Sequence, residues 1–353
     1  MRASVGVGQR CRPRTCVAMS APALFSTAAC VVAVLRLWRS TRRKIYGDDE
    51  VASEYFCRVL PKVELHAHIN GSIRASTLRE FVMASVPELD DKIPNGEASV
   101  TRAHRQKMLD SLTLRSDDQR SLKECFAIFD VIHSVVVNTD MITRITREVV
   151  EDFAADGCVY LELRSTPRRD VMTAREYVAA VEEGLAQGEA KANSSGRRKI
   201  HARLLLSINR SQSASIAEDT VGLALELAAR DSNVYIVGVE LSGNPFSSSF
   251  DVFEPALRKA REGGLKVSVH AAEVDNEPET TDMLAFKPDR LGHALFLEPQ
   301  HIRDVLDSGI PIEICPTSNR LTLQLLALHE HPNLSTWIEK LVLDVGSNSD
   351  FND

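Results

Sequence analysis

Lys62-Val63-Glu64-Leu65-His66-Ala67-His68-Ile69 is a short apolar run that carries two histidines with one residue between them. Residues two apart on a β-strand point to the same face, so a strand here would present His66 and His68 together. Similar runs follow at residues 158–164, 202–208, 236–241, 266–271, 290–295 and 311–314. Helical patterns separate them. In residues 141–156, Ile142, Ile145, Val149 and Phe153 recur at helical spacing, with Gly157 as a stop. Another helix begins after Thr173, where Glu176 three residues on completes a capping box, and it buries Val178, Val181 and Leu185. Strands alternating with helices predict parallel strands joined by right-handed crossovers. Seven such strands predict an α/β fold of the TIM (β/α)8 type rather than an open sheet. The long stretch from Ser72 to Gly157 holds several helical segments and is expected to lie over the barrel mouth as a lid.

In a parallel barrel the C-terminal strand ends converge on one mouth, so polar residues there meet although far apart in sequence. His66 and His68 end the first strand and form half of a metal site. The fifth run ends in His270-Ala271-Ala272-Glu273, a third imidazole followed by a carboxylate suited to acid–base work. The sixth carries Gly292-His293, and His293 is placed to hydrogen-bond a nucleophilic water. Cys315-Pro316-Thr317-Ser318-Asn319 closes the seventh as a polar loop. Each of these alone has a plain structural reading. Together, at successive strand ends, they imply a metal-dependent hydrolase.

The chain has 353 residues, 44% hydrophobic and 26% charged, which suits one large soluble domain. A net charge of −7 argues against a nucleic-acid polymer as partner, yet leaves room for one nucleotide phosphate held by a local cation. The seven cysteines form no CxxC pair, so they read as reduced thiols in an intracellular protein, and a metal would be held by histidines and carboxylates. Residues 1–50 stand apart from the expected domain, 55–353. They are rich in arginine, and no acidic residue precedes Asp48. Their apolar run, residues 19–35, suits a signal-anchor or transit peptide, or an unstructured extension. A cytoplasmic protein is expected, with mitochondrial import or membrane anchoring as the alternatives.

The segments Pro61–His68, Ser242-Gly243-Asn244-Pro245, His270-Ala271-Ala272-Glu273, Gly292-His293 and Cys315–Asn319 resemble, in order, the motifs of the adenosine deaminase family. The resemblance runs from about Tyr55 to Asn319. Within it, Tyr160-Leu161-Glu162-Leu163-Arg164-Ser165-Thr166-Pro167-Arg168-Arg169 is similar to the adenosine deaminase-like subgroup, which acts on N6-substituted AMP. The resemblance implies a Zn2+ ion on His66, His68 and His270, and Glu273 delivering a proton to the purine N1. It implies that His293 orients the attacking hydroxide and that the Gly243 backbone N–H meets the purine edge. It places His68, Asn70, His133 and Asn209 against the nucleotide. Ser165, Thr166, Pro167 and Arg168 combine hydroxyls with a guanidinium, which suits a phosphate. The implied reaction is conversion of N6-methyl-AMP to IMP and methylamine by a monomer. The alternatives are an ordinary adenosine deaminase, or an inactive shortened product.

Two departures from the family pattern stand out. Asn209 occupies a position where the subgroup carries aspartate. The family also continues to an eighth strand ending in Thr-Asp-Asp, whose first aspartate binds zinc and whose second contacts the purine, and no such motif follows Asn319 here. The expectation is a barrel with its eighth strand lacking or altered, hence poorly soluble and with little or no deaminase activity. Asp344, in the strand-like residues 341–345, is the candidate replacement ligand.

Overall fold

The protein was analysed as a computed structural model that describes residues 60–85, 106, 109, 122–194, 196, 198–323, 325 and 330–337. The N-terminal segment 1–50, residues 341–345 and Asp344 lie outside the described residues.

All seven expected strands form: β1 (Lys62–His68), β2 (Cys158–Ser165), β3 (His201–Asn209), β4 (Ile236–Ser242), β5 (Lys266–Ala271), β6 (Arg290–His293) and β7 (Ile312–Glu313). They pair in chain order and every pair is parallel, giving a nearly closed barrel. No strand lies between β7 and β1 among the described residues. Parallel strands covered on both faces read as continuous apolar runs, and β3 shows it, with Leu204, Leu205, Leu206 and Ile208 all buried. The sixth run ends at His293 instead of extending to Leu295. His293 and Ala294 take φ of 62° and 49°, and this left-handed backbone cannot continue a strand.

Helices α1 (Ala75–Ser85), α2 (Leu122–Val135), α3 (Thr139–Ala155), α4 (Ala174–Asn193), α5 (Ala214–Ala228), α6 (Glu254–Glu262), α7 (Glu277–Phe286), α8 (Pro299–Ser308) and α9 (Pro316–Leu323), with a 3-10 turn at Phe250–Val252, complete the described elements. Asn138 caps α3 by accepting from the Met141 N–H at 2.9 Å, and Ile142, Ile145 and Val149 are buried as their spacing predicts. The Thr173–Glu176 capping box opens α4, burying Val178, Val181 and Leu185. Helices α1 and α2 belong to the expected lid, and α2 brings His133 to the mouth. None of the helices among the described residues is long and apolar enough to cross a membrane.

The barrel bore holds charge. Arg164 on β2 is fully buried, and its NH1 donates to Glu240 on β4 at 2.6 Å while NH2 donates to Glu313 on β7 at 2.8 Å. Neither strand neighbours β2, so these contacts cross the interior. Arg164 NH2 also donates to the Leu65 carbonyl of β1. Side chains thus bind β1, β2 and β7 together where backbone pairing between β7 and β1 is not seen.

Candidate metal centre and active site

Parallel pairing stacks the strand ends in one plane, and His66, His68, His270 and His293 converge there. The Nε2 atoms of His68 and His270 stand 3.1 Å apart, and one ring nitrogen from each of His66, His68 and His270 falls within 4.8 Å of the others. Two nitrogens on one tetrahedral zinc at 2.0–2.1 Å would be about 3.3 Å apart, close to the spacing found. Burial and the surrounding positive groups push the His66 and His270 imidazoles well below their ordinary range; burial takes His68 down to about 4. All three are therefore neutral near pH 7 and offer lone pairs, as metal ligands must.

The far nitrogens of two of these rings face carboxylates. His66 Nδ1 lies 2.6 Å from Glu313 Oε2, and His270 Nδ1 lies 3.5 Å from Glu240 Oε2. The His270 contact is too loose for a hydrogen bond, and that buried nitrogen is otherwise without a partner. Both carboxylates are the ones Arg164 bridges. Ser207 donates to Glu240, and Arg290 Nε meets Glu313 Oε1 at 2.6 Å. Carboxylates of this kind fix ring orientation and raise ligand basicity. The donor set, its spacing and its supporting shell fit a divalent metal.

Glu273 and His293 lie beside this set. His293 Nε2 is 3.7 Å from Glu273 Oε1, and its Nδ1 is 3.2 Å from the Asn319 carboxamide. Ala272, His293 and Ala294 all have positive φ, a backbone that costs about 1–2 kcal/mol per residue for L-amino acids. Here it turns the chain sharply after β5 and at the end of β6, beside Glu273 and at His293. A small cleft opens next to Glu273 and His270, with Gly243, Pro245 and Arg210 in its wall. A Cβ on Gly243, φ 98°, would lie 2.4 Å from Asn209 Oδ1, so only glycine allows the two loops to meet. Cys315 groups with His66 and His293 as a second possible ligand set, though burial pushes its thiol up to about 12.

The remaining sequence candidates fall into two groups. Asn70 and His133 come together across the lid, with Asn70 Nδ2 and His133 Nε2 3.2 Å apart. The 165–168 segment begins on the last residue of β2 at the mouth, and its Ser165 and Arg168 side chains already have partners. Ser165 Oγ is paired with Tyr177 OH at 2.5 Å. Arg168 NH1 donates to the carbonyls of His133 and Val136, while Nε and NH2 engage Asp170, with the Nε bond at 2.9 Å. Pro167 is buried and Thr166 half-buried. Asn209 accepts from the Ser211 N–H at 2.8 Å, which shapes the turn after β3.

Sequence reasoning passed over Arg164, Glu240, Glu313, Arg210, His331 and Asn333. The first three carried a readable signal, being charged residues inside strands buried on both faces. Arg210 pairs with Glu279 at 2.8 Å in the pocket wall. Asn333 reaches back to the His293 turn, its Nδ2 donating to the Leu295 carbonyl at 2.8 Å.

A parallel barrel with convergent imidazoles and an acid at its C-terminal mouth defines the metal-dependent hydrolase class. The sequence profile described as "Adenosine deaminase" matches residues 61–350, and the chain belongs to the adenosine deaminase family, a family of metal-dependent hydrolytic deaminases. The match continues beyond Asn319, where the recognisable motifs end. The N6-mAMP deaminase of Arabidopsis thaliana is 40% identical over 291 residues, covering 77% of each chain. The N6-methyl-AMP deaminase of Mus musculus is 37% identical over 270 residues, covering 74% of this chain and 69% of the relative. Arabidopsis ADAL complexed with IMP superposes with a TM-score of 0.69 at 38% identity, covering 81% of this chain and 79% of that one.

Proposed function

We propose that this chain is a zinc-dependent N6-methyl-AMP deaminase, converting N6-methyl-AMP and water to IMP and methylamine. The observation that carries it is the convergence of His66, His68 and His270 beside Glu273, in a chain whose relatives bear that activity in their names. His66, His68 and His270 would hold the zinc, which when bound lowers the pKa of a water so that it attacks at neutral pH.

Glu273 delivers a proton to the purine N1 as water adds at C6, then moves protons to the departing methylamine. His293 orients the attacking water. The Gly243 N–H meets the purine edge, and the Asn70–His133 pair holds the sugar-phosphate side together with His68 and Asn209. Thr166 and Pro167 line that side next to Ser165. The phosphate reaches Arg168 by exchanging with Asp170. That carboxylate sits on the Nε/NH2 fork of Arg168 and is 63% exposed, so it can leave. NH1 stays on the His133 and Val136 carbonyls throughout, so one guanidinium both anchors His133 and binds the anion.

The test is zinc content and product release by the purified full-length chain. Methylamine should appear from N6-methyl-AMP at least tenfold faster than from N6-methyladenosine. Equal rates for both would refute the nucleotide reading, and turnover surviving exhaustive chelation would refute the metal reading.

A further inference from the structure

Beyond the described motifs, His331 and Asn333 return to the active-site turn, where five contacts link them to Asn319, His293 and the carbonyls of residues 294 and 295. The Asn333 backbone N–H donates to His331 Nδ1 at 3.3 Å. His331 Nε2 lies 2.8 Å from the Asn319 carboxamide, whose other end lies 3.2 Å from His293 Nδ1. The Asn333 side chain donates to the Leu295 carbonyl at 2.8 Å and reaches the Ala294 carbonyl at 3.4 Å. His293, Asn319, His331 and Asn333 are all at least 94% buried, so these contacts compete with little water.

The proton positions follow from the one group whose role is fixed. A backbone N–H only donates, so His331 Nδ1 must offer a lone pair. Burial lowers the His331 pKa and outweighs the opposing hydrogen bond to its own backbone, so the ring stays neutral. A neutral imidazole has one lone pair and one N–H, so Nε2 carries the hydrogen. That Nε2–H needs an acceptor, and Asn319 must turn its oxygen towards it. The carboxamide is drawn in the opposite orientation in the structure, with Nδ2 towards His331 and Oδ1 towards His293, which would require both His331 nitrogens to accept at once. The two ends of a carboxamide have the same shape, so partners decide its orientation. With oxygen on His331, the Asn319 NH2 group faces His293 Nδ1, which must then be the accepting nitrogen.

We propose that Asn319 and His331 are positioning residues that hold His293 as its Nε2–H tautomer. In the reaction assigned above, on which the consequence rests, His293 then donates a hydrogen bond to the attacking oxygen and does not remove its proton. Proton removal falls to Glu273.

The experiment is 15N NMR of the zinc-loaded full-length protein with labelled histidines, His293 being assigned by its loss in His293→Gln. The wild type should show Nε2 protonated and Nδ1 unprotonated. Asn319→Asp offers oxygen to both neighbours and should move the His293 hydrogen to Nδ1, with kcat down at least tenfold and KM within about threefold. His331→Phe removes the partner that orients the amide and should give a mixture of His293 tautomers at unchanged zinc content. Nδ1 protonated in the wild type, or one unchanged tautomer in both variants, would overturn the proposal. The tautomer is read without turnover, so an inactive chain with His293 in the Nε2–H form would count against the deaminase reading alone.

Discussion

Arg164→Met should damage stability and metal binding together, because one guanidinium serves both. Its two contacts, 2.6 Å to Glu240 and 2.8 Å to Glu313, join side chains that are 0–2% exposed. Removing one partner of a buried ion pair costs about 3–5 kcal/mol, since the other charge is left without compensation. Methionine fills a similar volume, so the packing loss is small and the charge term dominates. At about 2–4 °C per kcal/mol for a domain of this size class, the melting temperature of the metal-free protein should fall by on the order of 10 °C. Glu313 and Glu240 also face His66 and His270, so their release should disturb the imidazoles. Loss of such support typically costs 10–100-fold in metal affinity. Arg164→Lys should be intermediate, because an ammonium cannot fork to both carboxylates. Calorimetry on the metal-free protein and chelator competition for zinc measure the two effects. A melting temperature within about 2 °C of the parent together with unchanged zinc affinity would refute the coupling.

Glu273→Gln should keep zinc and fold while losing roughly 10²–10⁴-fold in kcat, measured as methylamine release; loss of only a few-fold would remove it as the proton donor. Arg168→Ala should raise KM for the monophosphate far more than for the nucleoside, and Asp170→Asn should lower it by freeing the guanidinium fork. Steady-state kinetics with both substrates checks this, and unchanged values in Asp170→Asn would break the exchange idea. The metal-free protein should lose stability as pH falls. His66, His68 and His270 stay neutral when folded, with His68 at about 4, but titrate near 6.5 when unfolded. The unfolded chain therefore takes up more protons below pH 6.5, and stability present above that value is lost on the way down towards pH 4. Urea midpoints that stay flat from pH 7 to pH 5 would contradict the assignment.

The strands were legible because parallel, doubly covered strands leave apolar runs that need no partner to be recognised, and β5 was read to the residue. His66, His68, His270, Glu273 and His293 were legible for a related reason, since strand ends are where a barrel gathers chemistry. The end of β6 was not legible, because the left-handed backbone at His293 and Ala294 answers to the site and not to any glycine in the sequence. The ion network in the bore was visible as Arg164, Glu240 and Glu313, yet which carboxylate meets which ring depends on the barrel's stagger. The 165–168 segment was read from composition, which does not show the partners it holds: Ser165 pairs with Tyr177, and Arg168 with the His133 and Val136 carbonyls and Asp170. His331 and Asn333 carried no local pattern, because their importance lies in where a later turn of chain is laid down.

Gly292 has a further consequence. A Cβ built there would stand 2.7 Å from His66 Cε1, a contact that runs from β6 to β1 without passing through any strand between them. The bore of the barrel therefore acts as a calliper on the first imidazole, with bare backbone as one jaw. One added methyl group would press on that ring and shift a ligand nitrogen, and with it the Nδ1 contact to Glu313, while every ligand residue is kept. Gly292→Ala is thus a way to change the spacing of the metal's donors without replacing any of them. Zinc and the slightly different radii of cobalt or manganese, competed on that variant, would read the width of the barrel as a ratio of affinities.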